Sequence, residues 1–178
     1  MTFRRHRRDR LDLGQIGEAG AVIALVAPQF SVADLHAATH AAELEGYRTE
    51  IVSPEKLLVG GRSEAGEEMN FVVDRAPADA DAAQFDGLVV PGGRDHVTRI
   101  AESEVMRALI KGALDAGKPV AAFGEGVALL AEIAGDAEVG AQAAVAVRGQ
   151  VFAAGGEDAR ADAASTFVKA IGVMAQAA

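Results

Sequence analysis

The chain reads as an α/β protein built on a doubly wound, mostly parallel sheet with helices on both faces. Three features point there. Short runs of small and branched apolar residues recur at 21–27, 85–90 and 119–123, as expected for strands buried on both faces. Alanine-rich or amphipathic stretches of helical length lie between them. Glycine or proline stands at most of the switches from one to the other.

Taken in order, residues 21–27 (AVIALVA) make the first strand, which Pro28 ends. Residues 31–45 (SVADLHAATHAAELE) lack Gly and Pro and form a helix, with Ser31 as N-cap and Gly46 as its stop. RTEIV at 48–52 follows as a second strand, which completes a unit of the size of a right-handed parallel crossover. Residues 57–59 and 70–73 flank the polar stretch GGRSEAGEE, which suits a short hairpin or an excursion away from the main sheet. A small-residue acidic connector at 76–83, with room for one helical turn, leads to a third strand, FDGLVV, that Pro91, Gly92 and Gly93 break. Residues 97–116 read as a single helix, with Ile100, Val105, Leu109, Ile110, Ala113 and Leu114 near helical spacing and Gly117 as the stop. The fourth strand, PVAAF, runs into Gly124, Glu125 and Gly126, and residues 127–134 follow as a helix. Strands at 145–147 and 150–153 flank a tight reversal at Arg148 and Gly149, and an amphipathic helix at 158–176 closes the chain.

With 178 residues, 50% of them hydrophobic and 24% charged, the chain suits one domain with one core and is too apolar for disorder. The absence of cysteine removes disulfides, thiolate metal sites and every cysteine-nucleophile mechanism. A net charge of −9 argues against a nucleic-acid-binding body, and no apolar run is long enough to span a bilayer. Charge is uneven: five arginines against one aspartate make the first ten residues +4, leaving −13 for the rest. The domain is therefore expected at 21–178, preceded by a basic arm at 1–20. The arm reads as a solvated tail, docked on the acidic body or on a neighbouring subunit, with nucleic acid or a membrane surface as the lesser alternative. LDLGQIGEAG after the arginines is too polar for a secretory core, so a cytoplasmic location is expected.

In an open α/β sheet ligands collect at the carboxyl ends of the strands, where the turns at Gly92, Gly93 and at Gly124–Gly126 lie. Four glycines there, Gly92, Gly93, Gly124 and Gly126, suggest either an anion recess built from N–H groups or, as the preferred reading, only tight turns beside a carboxylate that repels anions. Glu125 reads as a general base or carboxylate nucleophile aided by the N–H groups of Gly92 and Gly93, against the simpler role of capping the next helix. His96, after PGGRD, is the one imidazole placed to reach Glu125, although loop histidines are more often exposed. Arg94 binds a substrate carboxylate or, by preference, pairs with an acidic neighbour. His36 and His40, with Glu43, share a helical face that suits zinc weakly and a solvated or subunit-facing surface better.

FDGLVVPGGR at 85–94 and GKPVAAFGEGVALLAEIAG at 117–135, with a first helix ending in EGY and the late RGQVFAAGG, resemble the DJ-1/PfpI family of the class I glutamine amidotransferase-like superfamily over about 21–175. The resemblance implies a flavodoxin-like three-layer α/β/α sandwich and self-association as a homodimer or higher homo-oligomer. Active members resemble PVAAICHGP at the elbow, with cysteine where this chain has Gly124, histidine at Glu125 and glycine at Gly126. An acidic residue of their first helix corresponds to Ser31, and a late TSR-like stretch to Ala153, Ala154 and Gly155. Nucleophile, imidazole, carboxylate and hairpin polar groups are thus all expected to be missing. FSVADL and the closing FVKAIGVMAQA also resemble the C-terminal domain of large-subunit catalases, without room here for the haem-bearing core. The expected function is a non-catalytic, small-ligand-binding or protein-interaction module without a cofactor, related to stress or redox physiology, with its ligand at the elbow cleft, Ser31 and Arg94 included. The alternative is a hydrolase or lyase that uses Glu125.

Overall fold

The computed structural model describes residues 20–135, 145–147, 151–154 and 157–177. The elements run β1 (Ala21–Leu25), β2 (Phe30–Ser31), α1 (Val32–Leu44), β3 (Arg48–Val52), β4 (Leu58–Arg62), β5 (Glu68–Val72), β6 (Gly87–Val90), α2 (Arg94–Glu102), α3 (Glu104–Asp115), β7 (Val120–Phe123), α4 (Gly126–Ala134), β8 (Val145–Val147), β9 (Val151–Ala154) and α5 (Glu157–Ala177). The main sheet has the order β3-β1-β6-β7-β9-β8. Its neighbours are parallel except for the antiparallel β8–β9 pair. This is the expected α/β/α arrangement.

Continuous apolar strands follow from cover on both faces. Along β1, Ala21, Ile23 and Leu25 enter one core with Ile100, Ile110 and Leu130, while Val22 and Ala24 enter the other with Leu35, Phe167 and Ile171. The period-two alternation therefore divides one strand between two cores, one under α2–α4 and one under α1 and α5. Each large side chain buried there stabilises the fold by about 1.5–3 kcal/mol relative to exposure.

The helix ends are set locally. Ser31 caps α1, its hydroxyl accepting the Asp34 N–H at 3.3 Å, and Gly46 at φ +83° ends it in the left-handed form that glycine adopts freely. The single helix expected over residues 97–116 is instead two. Ser103 leaves helical geometry at φ −97° and ψ 108°, and its hydroxyl accepts the Met106 N–H at 3.3 Å, so the side chain starts α3 where the apolar periodicity runs on.

The polar stretch after β3 does leave the main sheet. β4 and β5 pair antiparallel, and β4 pairs in parallel with β2, which the sequence reading took as a helix start only. This small second sheet holds Gln29 and Phe30 close to the ends of β6 and β7. The late hairpin exists as β8 and β9, and its turn residues 148–150 lie outside the described residues.

Candidate functional site

β6 and β7 are neighbours in register, Leu88 to Val120 and Val90 to Ala122, so the turns that follow them meet. Gly124 has φ +50°, a left-handed conformation that side-chain-bearing residues adopt at a cost. Space does not exclude a side chain. Among the described residues, a β-carbon built on Gly124 would meet only the Cα of Gly92, at 3.5 Å. The elbow geometry is present and its central position carries hydrogen.

The opposite wall is crowded. A β-carbon on Gly92 would fall 2.8 Å from Asp34 Oδ2, and one on Gly93, at φ +116°, would fall 2.5 Å from the Gln29 carbonyl oxygen. Close approach lets side-chain oxygens reach both main-chain donors. The Gly92 N–H donates to Asp34 Oδ2 at 2.9 Å, and the Gly93 N–H donates to Glu125 Oε2 at 2.9 Å. The two groups read as an oxyanion hole are thus already satisfied by carboxylates of the same chain.

Asp34 was not among the residues singled out in the sequence. It lies in the first turn of α1, three residues beyond the Ser31 position where the acidic group was expected to be lost, and is only 7% exposed. Its second oxygen accepts Arg160 Nε from α5 at 2.6 Å, and Arg160 Nη1 donates to Glu64 Oε1 at 2.9 Å. A carboxylate is therefore present at the site after all, neutralised by an arginine 126 positions away. The signal was there in the ADL of FSVADL, but only the fold brings Arg160 to it.

Glu125 stands at the N-cap position of α4 without a side-chain capping bond, so the capping role is not the one it plays. The Gly93 N–H, with its own backbone N–H, holds its carboxyl below the ordinary range and outweighs the partial burial that would raise it; Arg94 and His96 add to the lowering. Such a carboxylate is a weak base. His96 is not on an exposed loop. It lies in the first turn of α2, fully buried, with Nδ1 accepting the Ala27 N–H at 2.9 Å and the Phe30 ring edge-on at 6.2 Å. Burial lowers its pKa to about 4, and Nε2 has no hydrogen-bond partner among the described residues. The imidazole is neutral and ties the turn after β1, at Ala27, to α2.

Gly126 is a packing glycine, its missing β-carbon leaving room for the Val90 carbonyl at 3.1 Å. Ser31, Gly93 and Arg94 line a recess of about 340 Å³ together with Gln29, Arg62 and Glu64, whereas Gly92, Gly124, Glu125 and Gly126 do not. Arg94 makes no ion pair within 4 Å among the described residues, while its charge acts on its acidic neighbour Glu125. Arg62 donates to Gln29 Oε1 from Nε at 2.8 Å. Gln29 itself holds φ +72°, a rare conformation for a residue with a side chain. His36 and His40 are exposed on α1, His36 edge-on to Phe71 at 5.8 Å, while Glu43 accepts the Thr49 hydroxyl at 3.0 Å. Among the described residues no three His, Cys, Asp or Glu side chains gather as a metal site, and no helix is long and apolar enough to cross a membrane.

The model of the family described as the DJ-1/PfpI family matches residues 21–162. No curated protein matches the sequence significantly. Among solved structures, a ThiJ/PfpI domain protein from Brachyspira murdochii is similar at TM-score 0.74 and 21% identity, over 88% of this chain and 99% of its own. The oxidized DJ-1 of Toxoplasma gondii is similar at TM-score 0.69 and 17% identity, over 89% and 98%. A DJ-1 superfamily protein of Agrobacterium tumefaciens gives TM-score 0.63 and 21% identity, over 89% and 94%. At these identities the likeness to solved structures concerns the fold.

Proposed function

Since the chain belongs to the DJ-1/PfpI family, we propose that it is a non-catalytic member that works as a small-ligand-binding or protein-interaction module. One observation carries the reading. Both backbone donors that face the elbow, Gly92 and Gly93, are occupied by Asp34 and Glu125, across from a glycine that offers no nucleophile. Covalent catalysis needs an attacking atom and free donors for the oxyanion that forms. Among the described residues, no attacking atom stands at this elbow, and the Gly92 and Gly93 donors are taken.

The alternative, hydrolysis or elimination through Glu125, asks a low-pKa carboxylate to take a proton with no partner to relay it. His96, the one imidazole near it among the described residues, is buried, neutral and bonded to Ala27. A ligand would instead enter the neighbouring recess, where Arg62, Arg94, Ser31 and Glu64 present donors and acceptors to a small polar molecule. Self-association, a cytoplasmic location and a role in stress physiology belong to the same proposal. The test is a turnover screen of the purified chain and its Glu125→Ala variant on small aldehydes, esters and peptides. No rate above buffer is expected from either; a rate present in the parent and lost in the variant favours the enzyme.

A further inference from the structure

The described chain starts at Gly20, beside the C-terminal end of α1. The Gly20 carbonyl accepts the Arg48 N–H at 2.9 Å. A β-carbon built on Gly20 would stand 2.9 Å from the Tyr47 ring and 2.6 Å from Asp86 Oδ2. Tyr47 forms one wall of a groove of about 540 Å³ between the ends of α1 and α5, which Leu44, Glu45, Val168 and Gly172 also line. Its apolar rim is uncovered, with Leu44 73% exposed and, further along α5, Val173 68% exposed.

The groove is also short of positive charge. Two helices end there, and neither α1 nor α5 has a basic residue in its last turn. Each carbonyl end carries roughly half a negative charge that its own helix leaves uncompensated. Glu45 and Asp86 add to this, and both, after burial, act to raise the Tyr47 pKa. Among the described residues Lys169 is the one cation lining the groove.

The segment just before Gly20 has the complementary pattern. Arg4, Arg5, Arg7, Arg8 and Arg10 precede Leu11, Leu13 and Ile16. We propose that residues 1–19 dock in cis into this groove, placing apolar residues against Leu44 and the Tyr47 ring and arginines at the two helix ends. The reach suffices. Ile16 and Leu11 lie four and nine residues before Gly20, and an extended chain covers about 13 to 30 Å over those distances. Tethering favours the chain's own arm over a neighbour's, because a short linker supplies an effective concentration in the millimolar range.

Tyr47 is the chain's one tyrosine and there is no tryptophan, so its emission reports on this groove directly. Three proteins are compared: the full chain, a form lacking residues 1–19, and the full chain with all five arm arginines changed to glutamine. Docking predicts stronger acrylamide quenching of Tyr47 in both altered proteins. It also predicts a phenol titration midpoint shifted upward when the arm is removed. Raising salt from 0.1 M to 1 M shortens the screening length from about 10 Å to about 3 Å and should bring the full chain toward the glutamine form. The glutamine form keeps the test valid should the shortened chain fail to fold. Equal quenching in all three overturns the proposal. So does a difference that grows with protein concentration alongside dimers in sedimentation, since it assigns the groove to a second copy.

Discussion

The Glu125 carboxylate accepts the Gly93 N–H at 2.9 Å, across the turn from the position where a nucleophile would stand. This contact lowers the carboxyl pKa from its ordinary 4.5. A folded-state value below the unfolded one contributes stability above the unfolded pKa, and that contribution disappears as pH falls through the folded value. Glu125→Gln should therefore flatten the acid side of the stability curve. Urea midpoints measured from neutral pH downward check this, and a variant whose curve falls as steeply as the parent's speaks against the contact.

His96 sets a second, higher window. Its folded pKa of about 4 against an ordinary 6.5 means that the unfolded chain binds the proton first as pH drops. Stability attributable to this group is whole above pH 6.5 and is lost between there and pH 4, at about 1.4 kcal/mol per pH unit and about 3 kcal/mol in total. His96→Gln should be less stable at neutral pH and should lose this slope. Chemical denaturation at a series of pH values reads both effects.

Asp34 joins Gly92 to Arg160, so its removal orphans a main-chain donor and leaves the Arg160 guanidinium only the exposed Glu64 among the described residues. Asp34→Ala is expected to cost about 3 kcal/mol. Asp34→Asn keeps an acceptor for Gly92 and should cost less. Thermal melts of the two variants beside Arg160→Met separate the share of the ion pair from that of the N–H contact.

Two glycines a few ångströms apart should respond differently to a side chain. Among the described residues Gly124→Cys meets only Gly92 Cα at 3.5 Å, so it should fold at a cost of about 1–2 kcal/mol for its positive φ. Its thiol should be alkylated without gaining hydrolytic turnover, because the facing donors remain filled. Gly93→Ala forces a β-carbon to 2.5 Å from the Gln29 carbonyl and should cost more than about 3 kcal/mol. Melting temperatures and mass-detected alkylation test the pair.

The layered sheet was legible because β1, β6 and β7 are buried on both faces and announce themselves as unbroken apolar runs. The break at Ser103 was not, since apolar spacing continues through it and only the serine's capping bond interrupts the helix. Gly124 and Glu125 could be placed at the elbow from the order of motifs. The Gly93 N–H could also be placed beside Glu125, but as a donor for a reacting oxygen; that it bonds the Glu125 carboxylate itself is set by the close meeting of the two turns, which only the fold shows. Asp34 was hidden for the same reason, as one acid among many until Gly92 and Arg160 close on it. His96 looked like a surface residue because the sequence does not show that the Ala27 N–H needs an acceptor at that spot.

The claim that the chain's own carboxylates fill the donors at Gly92 and Gly93 is tested most directly by the amide resonances of those two glycines. With pH lowered from neutrality, the Gly93 amide should shift together with the Glu125 carboxyl, with a midpoint below 4.5, and added acetate at neutral pH should move neither amide. A Gly93 amide indifferent to that titration, or a saturable shift of both glycines on adding acetate, would contradict the account.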